Sequence, residues 1–164
     1  PVLTFGTPLS NYPTYGNAAL GNQMWELAAG AALEFTPYFS DWYFQADISY
    51  VFAEEVLGFD LDYWFWYASA SYFLTPRFAP RVFLVQREAP NALSFPEDFP
   101  QGFDNEHFYE HDRTLKHNFL NGGIGFNYIV SDQHEILATF YKTFESDNVV
   151  EVEYAFTLGL NYRF

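Results

Sequence analysis

The stretch that most constrains this chain is its end, "VVEVEYAFTLGLNYRF" at residues 149–164. From Val150 onward every second residue is apolar: Val152, Tyr154, Phe156, Leu158, Leu160, Tyr162 and Phe164. Between them stand Glu151, Glu153, Ala155, Thr157, Gly159, Asn161 and Arg163, none of them a large hydrophobe. Side chains alternate across a β-strand, so the spacing predicts one strand over 149–164 with an oily face and a polar face. Such a strand exceeds the roughly 5–6 residues usual in globular proteins and meets the roughly 9–11 that a tilted strand needs to cross a bilayer. Left in water, its oily face would template aggregation. A second protein layer or lipid must cover it.

The same two-beat pattern recurs upstream. In 22–36, Trp25, Leu27, Leu33 and Phe35 share one face, against Glu26, Gly30 and Glu34. In 41–53, Trp42, Phe44, Ile48 and Phe52 oppose Tyr43, Gln45, Asp47 and Ser49. In 59–75, Trp64 and Trp66 oppose Phe65 and Tyr67, so aromatic rings stand on both faces and the phase stays open. Segments 78–88, 115–130 and 134–144 alternate too, and "VLTFGTPL" at the start is a shorter candidate. The expectation is about eight strands in one domain over 1–164.

Connection lengths carry independent information. Long or polar connections fall at 9–21, 54–58, 89–114 and 145–148, and short ones at 37–40, 75–77 and 131–133. Long and short alternate, as in transmembrane barrels with tight turns at one membrane face and loops at the other. A soluble sandwich has no reason to sort its loops this way. Both termini then lie on the short-turn side, and 89–114 is the longest outer loop.

Composition fits. Aromatic residues make up 23%, yet mean hydropathy is only −0.14, as expected where oily and polar faces average out. No run of 18 apolar residues predicts a membrane helix. Absence of cysteine excludes disulfides and thiolate metal sites. A net charge of −14 argues against nucleic acid as a partner. The chain opens on Pro1 without Met or a signal peptide, so a processed form or a fragment is expected. The fold class read from these features is all-β, an antiparallel up-and-down transmembrane β-barrel.

The closing residues also resemble the C-terminal signature of Gram-negative outer-membrane β-barrels. That family ends on Phe, here Phe164, with an aromatic third from the end, here Tyr162, and apolar residues at alternate positions before it, here Leu160, Leu158 and Phe156. The resemblance implies the bacterial outer membrane, periplasmic termini and recognition of the last strand by the barrel-assembly machinery. More loosely, "NGGIGFNYIVSDQHEILATFYKTF" with "TLGLNYRF" is similar to outer-membrane proteins of the phenol meta-pathway transporter type. Those barrels have more strands, so two geometries are open: the eight strands close on themselves, or the chain is the C-terminal part of a larger barrel. The function implied is a porin-like passive channel for small, hydrophobic molecules. The alternative is a non-transporting barrel, or a subunit whose outer loops hold a partner. Expected partners are the bilayer, lipopolysaccharide, and a second copy or another envelope protein.

Polar-face residues would line the interior: Glu26, Glu34, Asp47, Glu151 and Glu153, with Arg81, Arg87 and Arg163 as counter-charges. In a filled barrel these must pair, because an unpaired buried charge costs several kcal/mol; in a wet one they set charge preference. Trp25, Trp42, Trp64, Trp66, Tyr162 and Phe164 are expected at the membrane interfaces. In the acidic loop, His107 and His111 stand four apart and would share a helix face toward Zn²⁺, although the order His-Phe-Tyr-Glu-His is not the metalloprotease motif. The plainer reading is a solvated loop with no metal or cofactor. His117 or His134 with Ser131 or Ser146 are the candidate base and nucleophile, but His134 and Ser131 flank a turn and no Gly-x-Ser-x-Gly occurs, so no enzyme is expected.

Overall fold

The computed structural model describes residues 1–10, 23–94, 111–149 and 151–163. Eight strands follow in chain order: β1 (Val2–Gly6), β2 (Glu26–Phe35), β3 (Trp42–Ala53), β4 (Tyr63–Tyr72), β5 (Phe78–Glu88), β6 (Asn118–Ser131), β7 (His134–Asp147) and β8 (Ala155–Tyr162). Among the described residues one short helix, α1 (His111–Thr114), precedes β6. No helix among the described residues is long and apolar enough to cross a membrane, which says nothing of strands. Each strand pairs antiparallel with its sequence neighbours, giving a single up-and-down sheet in the order β1 to β8. Short turns at 73–77 and 132–133 alternate with longer connections, so both termini fall on the short-turn side.

The sheet is open, where a closed barrel is the sequence expectation. β1 has five residues and pairs only with Glu26–Gly30 of β2. That leaves too short a ladder at this edge to hold a seam against β8. Several predicted strands are also trimmed, β4 and β8 among them. β4 starts at Tyr63 rather than 59, because Leu57 (φ 53°) and Gly58 (φ 80°) fold 56–59 into a turn closed by paired bonds between Val56 and Phe59. β8 starts at Ala155 rather than 149. Thr143 captures the incoming chain: its N–H donates to Val152 O at 2.9 Å and its Oγ1 accepts from Val152 N at 3.1 Å. A bend follows at Glu153, and Tyr154 then stacks on Phe140.

Burial across the strands is the reverse of a water-soluble sheet. The apolar faces are the exposed ones: Ile48 is 53% and Leu158 69% accessible. In the central strands the polar face is the more covered, as the alternation along β3 shows, while β1 and most of β8, at the sheet edges, are exposed on both faces. Among the described residues the buried apolar ones are Val51, Ala53, Val56, Leu61, Ala79, Ala89, Ala92 and Ala138, with no aromatic among them. Five of these, Ala53, Val56, Leu61, Ala89 and Ala92, form one small cluster at the long-loop end, with Met24, Leu57, Phe59 and Tyr63 packed against it. The apolar side chains therefore do not make a central core. They coat the convex side of the sheet and plug one end.

Candidate functional site

The polar faces combine into one concave surface because register places like with like. Tyr43, Ser71, Arg81, Gly125, Thr139 and Thr157 are successive lateral partners from β3 to β8. The next row runs Gln45, Ser69, Phe83, Gly123 and Tyr141. Glycine in these rows is a requirement of space. A Cβ on Gly125 would stand 3.2 Å from the Arg81 Nε, and one on Gly123 would collide with the carbonyl of Phe140. The register also settles the open phase of β4: Tyr63, Phe65 and Tyr67 share the polar side with Ser69 and Ser71. Tyr67 stacks with Phe83, its diagonal neighbour on β5, at 6.4 Å.

At the long-loop end Glu26, Tyr63 and Arg87 meet. The Tyr63 hydroxyl donates to Glu26 Oε1 at 3.3 Å, and the Arg87 guanidinium lies 3.9 Å above the Tyr63 ring. Arg87 Nη1 also donates to the His117 carbonyl at 3.4 Å. His117 itself is largely buried. Desolvation pushes its imidazole below the ordinary value of 6.5, and Arg87 adds to that shift. The adjoining loops are tied down by Asn118 Oδ1, which accepts from Ala89 N at 2.7 Å, and by Asn91 Nδ2, which donates to Asp60 at 2.7 Å. An aromatic-cation stack therefore stands at this end of the concavity, beside the small apolar cluster.

At the short-turn end a cavity of about 390 Å³ opens, spanning β3 to β7. Arg77, Arg81 and Arg163 line it, with Ser71, Asn127 and Glu135. The Glu135 carboxylate accepts from Asn127 Nδ2 at 3.1 Å and Asn161 Nδ2 at 3.4 Å, and pairs with Arg163 at 3.7 Å. Arg81 lies over the Phe83 ring at 5.7 Å, and its buried Nε has no hydrogen-bond partner.

The remaining expected lining residues divide. Asp47 accepts from Gln45 Nε2 at 2.8 Å, and Glu34 meets the Tyr43 hydroxyl, so both lie on the concave face. Glu151 and Glu153 do not join that wall. The chain has not yet entered β8, and both are exposed in the connection before it, because Thr143 has pulled Val152 out of the two-beat path. Arg87 stands near Glu26, Arg163 pairs with Glu135, and Arg81 has no carboxylate among the described residues; the buried Nε atoms of Arg81 and Arg87 both lack a hydrogen-bond partner, so pairing of the interior charges is partial at both ends.

The expected interface aromatics lie at strand ends on the convex side. Trp42 stacks on Phe44 at 5.8 Å and meets Tyr72 edge-on at the short-turn end. Trp64 meets Tyr50 at 4.9 Å at the other end, with Trp66 two residues further in and Trp25 just before β2. Tyr162 packs against His134 at 5.1 Å. Phe164 and His107, and the side chain of His111, lie outside the described residues. Among the described residues no group of three metal-ligating side chains occurs. Ser131 Oγ and His134 Nδ1 are 2.9 Å apart, but Oγ also accepts from Gln133 N, so the pair closes the β6–β7 turn.

Tyr43, Ser71, Asn127 and Glu135 were not singled out by the sequence reading. The signal for them was present in the alternation itself, since each falls on the polar beat of its strand. No protein-family model matches the sequence, no curated protein matches it, and no solved structure matches it.

Proposed function

We propose that this chain is the wall of a transmembrane β-barrel of the bacterial outer membrane, with its termini periplasmic, its longer loops outside and its concave polar side forming a path for small molecules. The observation that carries the reading is the inverted burial: the apolar side chains are the accessible ones and, in the central strands, the polar side chains the covered ones. In water such a surface is unstable; against acyl chains it is the favourable arrangement. Dimensions agree. Trp42 and Phe52 mark the two aromatic ends of β3, ten residues apart. At about 3.3 Å per residue and a tilt of about 40°, they stand roughly 25 Å apart along the membrane normal, the height of the usual apolar band. Lys142 sits near the outer end of this band beside Phe144, where a cation can reach lipopolysaccharide phosphates.

The mouth formed by Glu26, Tyr63 and Arg87 favours a second reading, a non-transporting barrel whose outer loops hold a partner. Flux separates the two. Purified protein reconstituted into liposomes is expected to admit small uncharged solutes, hydrophobic ones included, well above protein-free vesicles. Folded, inserted protein with flux at the protein-free level overturns the channel and leaves the plugged barrel.

A further inference from the structure

The cavity at the short-turn end has a charge that the chain as a whole does not. With a net charge of −14 the protein has five arginines, and three of them, Arg77, Arg81 and Arg163, line this one cavity. The carboxylate among its described lining residues, Glu135, is already engaged by Asn127, Asn161 and Arg163. Arg77 and Arg81 make no ion pair among the described residues, and the buried Arg81 Nε has an N–H to give and nothing to receive it. A partly desolvated guanidinium without an acceptor is costly, and a planar oxyanion is the acceptor its fork matches. A Cβ at Gly125 would meet first the Ala138 carbonyl and then the Arg81 Nε. Further donors stand on the same rows, the hydroxyls of Ser69 and Ser71; the Tyr43 phenol beside them is already turned to Glu34. Apart from Gln45, the rest of the wall is apolar, with Phe73, Phe78 and Ile129 its largest side chains.

We infer that this cavity is a binding site for a small organic carboxylate, its oxyanion held by Arg81 with Arg77 and the Ser71 hydroxyl, and its apolar part against Phe73 and Ile129. Pro76, Arg77 and Arg163 belong to the short-turn rim, so the ligand reaches the site from that side. The assignment deepens the channel reading, giving the path an anion-selective inner end, and the test keeps the two apart.

Butyrate, butyramide and inorganic phosphate are titrated into the protein in detergent micelles, and flux of butyrate and of an uncharged sugar is measured in liposomes. Butyrate is expected to bind, butyramide not, and Arg81→Gln to weaken butyrate about tenfold or more. Arg77→Gln, a change on an exposed turn that leaves the fold intact, is expected to weaken it several-fold. Butyrate binding that is absent, or unaltered in both variants, overturns the site even if sugar flux persists. Butyrate binding without flux of either solute keeps the site and overturns the channel. Phosphate bound more tightly than butyrate overturns the carboxylate assignment.

Discussion

Glycines 30 and 123 show how closely two strands of this sheet approach. A Cβ at Gly30 would meet the Ile48 carbonyl, and one at Gly123 the Phe140 carbonyl, both backbone atoms that cannot move aside. Gly159 differs, because there a Cβ finds only Leu137 Cδ1 at 3.9 Å. Gly123→Val is therefore expected to destabilise the folded protein by about 1–3 kcal/mol, while Gly159→Ala stays within about 0.5 kcal/mol; urea midpoints in lipid vesicles would rank them, and equal midpoints would contradict the close approach. His117 makes a second prediction. Its neutral form is favoured in the fold by burial and by Arg87. The unfolded chain binds a proton near the ordinary value of 6.5 and the folded chain only at lower pH. Stability is then unaffected above that value and declines as pH falls through it toward the folded value. Between pH 7.5 and 5.5 the native protein is expected to lose more stability than His117→Gln, and parallel losses would remove His117 as a cause. Which residues share a face was legible from alternation alone for Trp42 to Phe52 and for Phe156 to Tyr162. It was not legible for Tyr63, Phe65 and Tyr67, because aromatic rings suit either lipid or a stacked interior and only register with Arg87 and Phe83 decides.

Among the elements, β8 tests what the convex side faces. Phe156, Leu158 and Leu160 project from it with nothing packed over them, and its polar side carries Thr157, whose hydroxyl meets that of Thr139. Neighbouring positions thus face different surroundings, although composition scarcely distinguishes them. Leu158→Lys is expected to cost about 2–4 kcal/mol of folding free energy in a bilayer, the usual penalty for a cation near the midplane, and Thr157→Lys less than half as much. The comparison is made by urea titration of folding into vesicles; a penalty on position 157 as large as on 158 would mean that protein, not lipid, covers the oily side. Where β8 begins was beyond the sequence. Val152 and Tyr154 continue the apolar beat whether or not the chain bends, and the bend comes from Thr143, a residue on another strand, using its hydroxyl in place of a ladder bond. Openness of the sheet was equally hidden, since alternation specifies the faces of β1 but not that it pairs with only half of β2.

For the molecule as a whole, the sorting of connections makes a claim that no single strand can make. Turns at 73–77 and 132–133 lie at one end, and the connections holding Glu55 and Asn91 at the other, tied together by the bond from Asn91 to Asp60. A soluble protein offers both ends to solvent alike; a spanning wall offers one to each compartment. The chain has no cysteine, so single cysteines report position without background. Glu55→Cys and Asn91→Cys are expected to react with a membrane-impermeant maleimide on intact Gram-negative cells, while Thr75→Cys and Asp132→Cys stay silent until the outer membrane is opened and then react to the same extent. The reverse pattern would keep the spanning wall and invert its orientation. Reaction at all four sites without opening would mean that the chain does not separate two compartments. Its exposed apolar faces would then need a protein cover, because buried alanines, a leucine and a few valines are too small a core to stabilise so wide a sheet in water.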